Sequence, residues 1–123
     1  MDNILWVTSF VFSVLTGIAF CAQEFESEPK YTEVNPGNEA LLECKVLNKA
    51  GSCIWQKDRK PIGMFSGKYE WAGNPEDGDC SLLILNSRLD LDDGDWECQV
   101  TASAFDSRDQ LTSKVAQLVV RGK

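Results

Sequence analysis

From residue 23 onward no stretch keeps an apolar residue every three to four positions; short segments alternate apolar and polar instead. Ala40, Leu42, Cys44 and Val46 share one parity, while Leu41, Glu43 and Lys45 take the other. The same alternation groups Cys53 with Trp55, Leu82 with Ile84, Trp96 with Cys98 and Val100, and Ala116 with Leu118 and Val120. Successive side chains of a strand point to opposite faces, so each group is an inward row. Turn-forming clusters separate the rows at residues 35–38, 48–51, 58–61, 73–78 and 92–94. Short alternating strands with no helical segment predict an all-β fold, a two-sheet antiparallel sandwich.

The N-terminus is different. Residues 4–20 form a nearly unbroken apolar run, which as a helix would extend roughly 26 Å, short of a ~30 Å hydrocarbon core. Ala19 and Cys21 put small residues at the −3 and −1 positions of a cut before Ala22. This reads as a secretory signal peptide over residues 1–21, with a cut after residue 22 as the neighbouring alternative. Asp2 and the lack of Lys or Arg ahead of the run are atypical of such a leader, so a retained anchor helix is the competing reading. Cleavage removes Cys21 and leaves four of the five cysteines in an oxidising compartment, an even number suited to two disulfides. Residues 22–123 then make one domain.

Composition narrows the function. The 123-residue chain is 43% apolar and 25% charged, as ordinary folded domains are, and its net charge is −7. That balance disfavours nucleic acid and anionic membranes, which are met mainly by Lys and Arg. There is no histidine, so the usual near-neutral proton shuttle and the commonest zinc ligand are missing. No nucleophile–base pair and no glycine-rich phosphate cradle can be named. The chain reads as a non-enzyme with no cofactor and no small-molecule substrate. The acidic run Asp90, Asp92, Asp93, Asp95 invites a calcium reading, but counting an EF-hand loop from Asp90 puts Gly94 fifth and Thr101 twelfth, where ligands are needed. No Asn stands in an Asn-x-Ser/Thr pattern.

The special residues carry a more specific signal. Cys44 precedes Trp55 by eleven positions and Cys98 by fifty-four, and Asp92-Asp93-Gly94-Asp95-Trp96-Glu97-Cys98 leads into a core strand. This resembles the immunoglobulin superfamily, with its strand B cysteine, strand C tryptophan and Asp-x-Gly-x-aromatic-x-Cys strand F. The resemblance implies a Cys44–Cys98 bridge between the sheets. It also implies that Lys68, where variable-type domains usually carry arginine, pairs with Asp92; without the arginine fork that clasp is expected to be weaker. Trp96 replaces the family's corner tyrosine, and the sequence leaves open whether its indole N–H makes the corner hydrogen bond. Cys53 and Cys80 have inward parity on strands C and E of opposite sheets, which suits a second disulfide; free buried thiols or an intermolecular bond are the alternatives.

Trp55-Gln56-Lys57-Asp58, Pro61-Ile62-Gly63, Lys68-Tyr69, residues 78–84 and Glu97-Cys98-Gln99-Val100 resemble the membrane-distal domain of nephrin and the roughest/kin-of-irre adhesion receptors. The extra cysteines look more like the first domain of insect fasciclin III. The resemblance implies cell adhesion by homophilic or heterophilic protein binding through the sheet of strands C, C′, F and G. Residues expected on that face or its flank are Ile54, Gln56, Ile62, Met64, Phe65, Gln99, Thr101 and Phe105, a mixture of apolar and amide groups rimmed by charge. The expected partner is another immunoglobulin-superfamily protein at the cell surface. The chain stops at residues 121–123, just after the last strand, so it reads as the first domain of a longer receptor anchored downstream. A secreted soluble binding or immune factor is the other reading.

Overall fold

The computed structural model describes residues 21–122; the signal-peptide reading falls on residues outside these, apart from Cys21, whose thiol is exposed and unbonded. Two layers face each other. One contains β2 (Thr32–Val34), β11 (Ala116–Val120), β9 (Gly94–Val100), β5 (Cys53–Lys57) and β6 (Lys60–Ile62) in that spatial order, with β10 (Leu111–Thr112) also along β9. The other contains β3 (Ala40–Leu42), β8 (Leu82–Ile84) and β7 (Tyr69–Trp71), together with the pair β1 (Glu24–Ser27) and β4 (Lys45–Leu47). The chain changes layers between β1 and β2 at buried Pro29, which has no N–H to leave unpaired at the crossing. β2 then runs parallel to β11, and every other ladder is antiparallel.

The inward rows are where the alternation puts them: Ala40, Leu42, Cys44, Val46, Trp55, Leu82, Ile84, Trp96, Cys98, Val100, Leu118 and Val120 are buried. Two local features depart from a pure strand reading. The row from Ala40 to Val46 is two strands, because at Cys44 the amide bonds the Ser81 hydroxyl (3.1 Å) instead of continuing the ladder. Residues Leu89–Asp92, just ahead of the turn expected at 92–94, form one helical turn, and Pro75–Asp77, within the turn expected at 73–78, form a 3₁₀ turn. Both are short enough to leave no periodic signal in the sequence.

Two disulfides join the layers. Cys44 is bonded to Cys98 with Cα atoms 6.5 Å apart, and Cys53 to Cys80 with Cα atoms 6.2 Å apart. Beside the Cys44–Cys98 bridge are the fully buried indoles of Trp55, opposite Cys98, and Trp96, one inward position further along β9, edge to face at 6.5 Å between centroids. A buried N–H needs an acceptor. Trp55 Nε1 donates to the Cys80 carbonyl at 2.8 Å, and Trp96 Nε1 to the Asp92 carbonyl at 2.9 Å. The indole therefore does make a corner bond, reaching back four residues.

Asp92 is the fully buried charge at that pole. Its Oδ1 accepts from the Tyr69 hydroxyl (2.5 Å), and its Oδ2 from Lys68 Nζ (2.6 Å) and the Arg88 amide (2.8 Å). The oxygen that an arginine fork would take is thus used by Tyr69. Lys68 Nζ also donates to the carbonyls of Leu85 and Asn86, both at 3.1 Å, so its three protons have three acceptors. Lys68 thus meets Asp92 through one contact without a fork, as expected, and the Tyr69 hydroxyl and Arg88 amide supply the carboxylate's other donors. The rest of the acidic run is dispersed, with Asp90 paired to Arg88, Asp93 accepting from the Val120 amide, and Asp95 donating its amide to Asp58. Gly94 has φ +152°, and a Cβ there would lie 2.8 Å from both Asp58 carboxylate oxygens, which accounts for glycine in the Asp-x-Gly run.

Burial and the bond to Asp92 push the Tyr69 hydroxyl well above its ordinary range. A folded-state pKa raised above the unfolded value gives stability that is whole below the unfolded pKa of about 10 and is lost as pH rises beyond it. Urea unfolding should show stability declining above about pH 10, and Tyr69→Phe should flatten that decline. At neutral pH the same substitution should cost about 1–3 kcal/mol, because it leaves a buried carboxylate oxygen without its donor. For the second bridge, Cys53→Ala/Cys80→Ala should fold but lose up to roughly 3–4 kcal/mol by chain entropy, read from guanidinium midpoints; an unchanged midpoint would show that the bridge constrains nothing.

Candidate partner-binding face

The outward side of the β5–β9 pair follows from register. Ile54 lies directly opposite Gln99 and Gln56 opposite Glu97, while Gln99 has Thr112 on its other flank and Gln56 has Pro61. Directly opposed residues of an antiparallel pair project to the same side with Cβ atoms roughly 5 Å apart. The row Ile54–Gln99–Thr112 is therefore uncharged, one aliphatic side chain, one amide and one hydroxyl, while the neighbouring row Pro61–Gln56–Glu97 ends in a carboxylate. Ile54, Gln99, Thr101, Gln110, Leu111 and Thr112 line a shallow depression there. Charge lies towards one end, where Asp58, Arg59, Asp95 and Glu97 meet exposed Val115.

Not every expected residue is on this face. Ile62 pairs with Trp55, so it projects to the core side, and Met64 also packs against the core. Their apolar character serves the interior. Phe65 is 66% exposed at the turn between β6 and β7, where its backbone bridges to Tyr69. Phe105 is fully exposed in the loop between β9 and β10. Ile54, Gln56, Gln99 and Thr101 share the outward side, with Phe65 and Phe105 outside the strands. Thr112 and Gln110 carry no signal in the alternation: β10 is two residues long, its register against β9 places Thr112, and Gln110 lines the depression just ahead of it.

The β9–β10 loop is organised by one carboxylate. Asp109 accepts from the Ser103 amide (2.9 Å), the Ser103 hydroxyl (2.7 Å) and the Ser107 hydroxyl (2.8 Å), and Ser107 Oγ accepts from the Ala104 amide (3.0 Å). Phe105 is carried across this ring of bonds. The Ser103 amide and the two hydroxyls hold the Asp109 carboxyl far below the usual range.

A two-layer sandwich with a bridged Cys44–Cys98 pair, Trp55 against it and an aromatic-x-Cys strand at β9 has a family counterpart: the immunoglobulin I-set domain model matches residues 23–115. The chain belongs to the immunoglobulin I-set family. This immunoglobulin domain is 36% identical to Kin of IRRE-like protein 1 of Rattus norvegicus over 89 residues, which is 68% of the chain and 11% of that protein. It is 38% identical to the Irregular chiasm C-roughest protein of Drosophila melanogaster over 84 residues, 64% of the chain and 11% of the relative. With Synaptogenesis protein syg-1 of Caenorhabditis elegans it shares 31% identity over 105 residues, 80% of the chain and 14% of the relative. It therefore spans about a tenth to a seventh of the length of these proteins. Among solved structures, Duf (Kirre) D1 superposes with a TM-score of 0.72 at 34% identity, covering 80% of this chain and 96% of that one. Rst D1-D2 gives 0.73 at 34% identity, with 81% and 49% covered.

Asp109 supplies a pH test of the loop. A folded-state pKa held below the unfolded one gives stabilisation that is complete above the unfolded value and is lost as pH falls through the folded one. The Ser103 amide should therefore stay protected from exchange while ordinary aspartates protonate near pH 3.9, and be released only under more acid conditions. In Ser103→Ala its release should move to higher pH.

Proposed function

We propose that this immunoglobulin domain mediates cell–cell recognition by binding another immunoglobulin-superfamily protein, a second copy of itself or a relative, through the outward side of β5, β9 and β10. The observation that carries the reading is the uncharged row Ile54–Gln99–Thr112, with exposed Phe65 and Phe105 beyond it. Interface centres are depleted of charge and enriched in aromatic anchors, while the rim stays polar. Similarity to the Kin of IRRE-like, roughest and syg-1 proteins supports an adhesion role. Residues 1–21 act as a signal peptide in this reading, and the disulfides form in the oxidising compartment through which the chain is exported to the cell surface or beyond. No residue is assigned catalytic work.

The experiment combines sedimentation of the purified chain with aggregation of cells displaying it, alone or mixed with cells displaying the roughest protein. Gln99→Arg places an unpaired charge at the centre of the contact and should weaken binding by roughly tenfold or more, and Phe65→Asp should weaken it less. Leu41→Asp, on the outward side of the other layer, should leave it unchanged. If Gln99→Arg and Phe65→Asp bind as the wild type does, the contact lies elsewhere; a chain that engages neither cell type is not a receptor of this kind.

A further inference from the structure

Gln23, immediately before β1, is a polar side chain only 4% exposed. Both ends of its amide are used. Oε1 accepts from the backbone amides of Ala50 (2.8 Å) and Gly51 (2.7 Å), and Nε2 donates to the carbonyls of Thr101 (3.0 Å) and Asp109 (3.1 Å). Two donated and two accepted bonds exhaust what the Nε2 protons and one carbonyl oxygen ordinarily offer. None of the four belongs to a strand ladder. They connect segments 27, 28, 78 and 86 residues apart along the chain.

Thr101 and Asp109 are the two feet of the β9–β10 loop, so one amide group holds the base of that loop closed. The β4–β5 turn is brought against the same foot: the Ser52 amide bonds Thr101 Oγ1 at 2.8 Å, and a Cβ on Gly51 would fall 1.9 Å from the Thr101 carbonyl oxygen. Above the feet, the Asp109 carboxylate binds residues 103 and 107 into a ring. Phe105 is fully exposed, so only the loop backbone limits the region its ring can reach.

We infer that Gln23 is a positioning residue for the partner-binding face, clamping the β9–β10 loop so that Phe105 is presented in one place before the partner arrives. The inference rests on the proposed binding face for its functional sense. Ordering a loop on binding subtracts from affinity, and a loop already ordered avoids that cost. The sequence-distant amide does what the two-residue β10 is too short to do: it ties both feet to a fixed part of the sandwich.

The test is Gln23→Glu in the whole chain. Its carboxylate keeps the acceptor for Ala50 and Gly51, removes both donated bonds and sets negative charge against two carbonyls. Backbone ¹⁵N relaxation should show residues 102–110 becoming mobile, with the Ala50 and Gly51 amides still protected from exchange. Binding to cells displaying the chain should fall about tenfold. Tyr69→Phe, a destabilising change at the other pole, should alter neither the loop relaxation nor the affinity. If the glutamate variant fails to fold, Gln23→Met, similar in length and neutral, takes its place with the same expectation for residues 102–110. Unchanged loop relaxation overturns the inference. A mobile loop with unchanged affinity upholds the clamp and instead removes Phe105 from the contact, which counts against the proposed face.

Discussion

The Cys44–Cys98 bridge sets the distance between the two layers, and the rest of the core is arranged around that fixed separation. A sandwich of strands two to seven residues long has little ladder to hold each layer flat, so a covalent tie through the middle decides whether the buried rows can meet at all. With that spacing fixed, Trp55 and Trp96 fill the space beside the bridge edge to face, and each indole must find an acceptor at the margin of the core. Trp55 finds it in the Cys80 carbonyl at the loop pole and Trp96 in the Asp92 carbonyl at the opposite pole. The polar needs of two large core residues thus determine how both ends of the domain are built.

Much of this was legible because a strand repeats every two residues. The inward rows from Ala40 to Val120, the Cys–Trp–Cys spacing and the closeness of Lys68 to Asp92 could all be read before any coordinates. What could not be read depended on register or on bonds between distant segments. Ile62 and Met64 looked like members of a binding face. The two-residue turn at Asp58 and Arg59, both with positive φ, instead sets Ile62 opposite Trp55 and gives it to the core. The break at Cys44 comes from one serine hydroxyl thirty-seven residues away. Tyr69 taking the second oxygen of Asp92, and Gln23 bonding four backbone groups, carry no periodic signature.

The face and the framework behind it have opposite chemistry. Behind lie fully buried aromatics, two disulfides and a buried carboxylate with every oxygen engaged; in front are amides, hydroxyls and one aliphatic side chain, none of them charged along the central row. A surface of this kind is permissive on its own, since amides can pair with many partners. In the proposed contact, selectivity falls to shape and to what stands around the row, so the position of Phe105 and the rigidity of its loop would weigh more than the number of polar contacts.

On the proposed reading of residues 1–21 as a signal peptide, the Gln23 amide gives the position of the cut a chemical meaning. A cut after residue 21 leaves Ala22 ahead of it, with the Ala22 carbonyl accepting from Asn48 Nδ2 at 3.3 Å. A cut one residue later makes Gln23 the first residue, its own α-amine within reach of its side chain. N-terminal glutamine closes to pyroglutamate: the amine nitrogen bonds to Cδ, and the amide nitrogen departs as ammonia. The departing atom is the one that donates to Thr101 and Asp109. A peptidase that errs by a single position would thus produce a chain of nearly the same mass and fold whose loop has lost its latch.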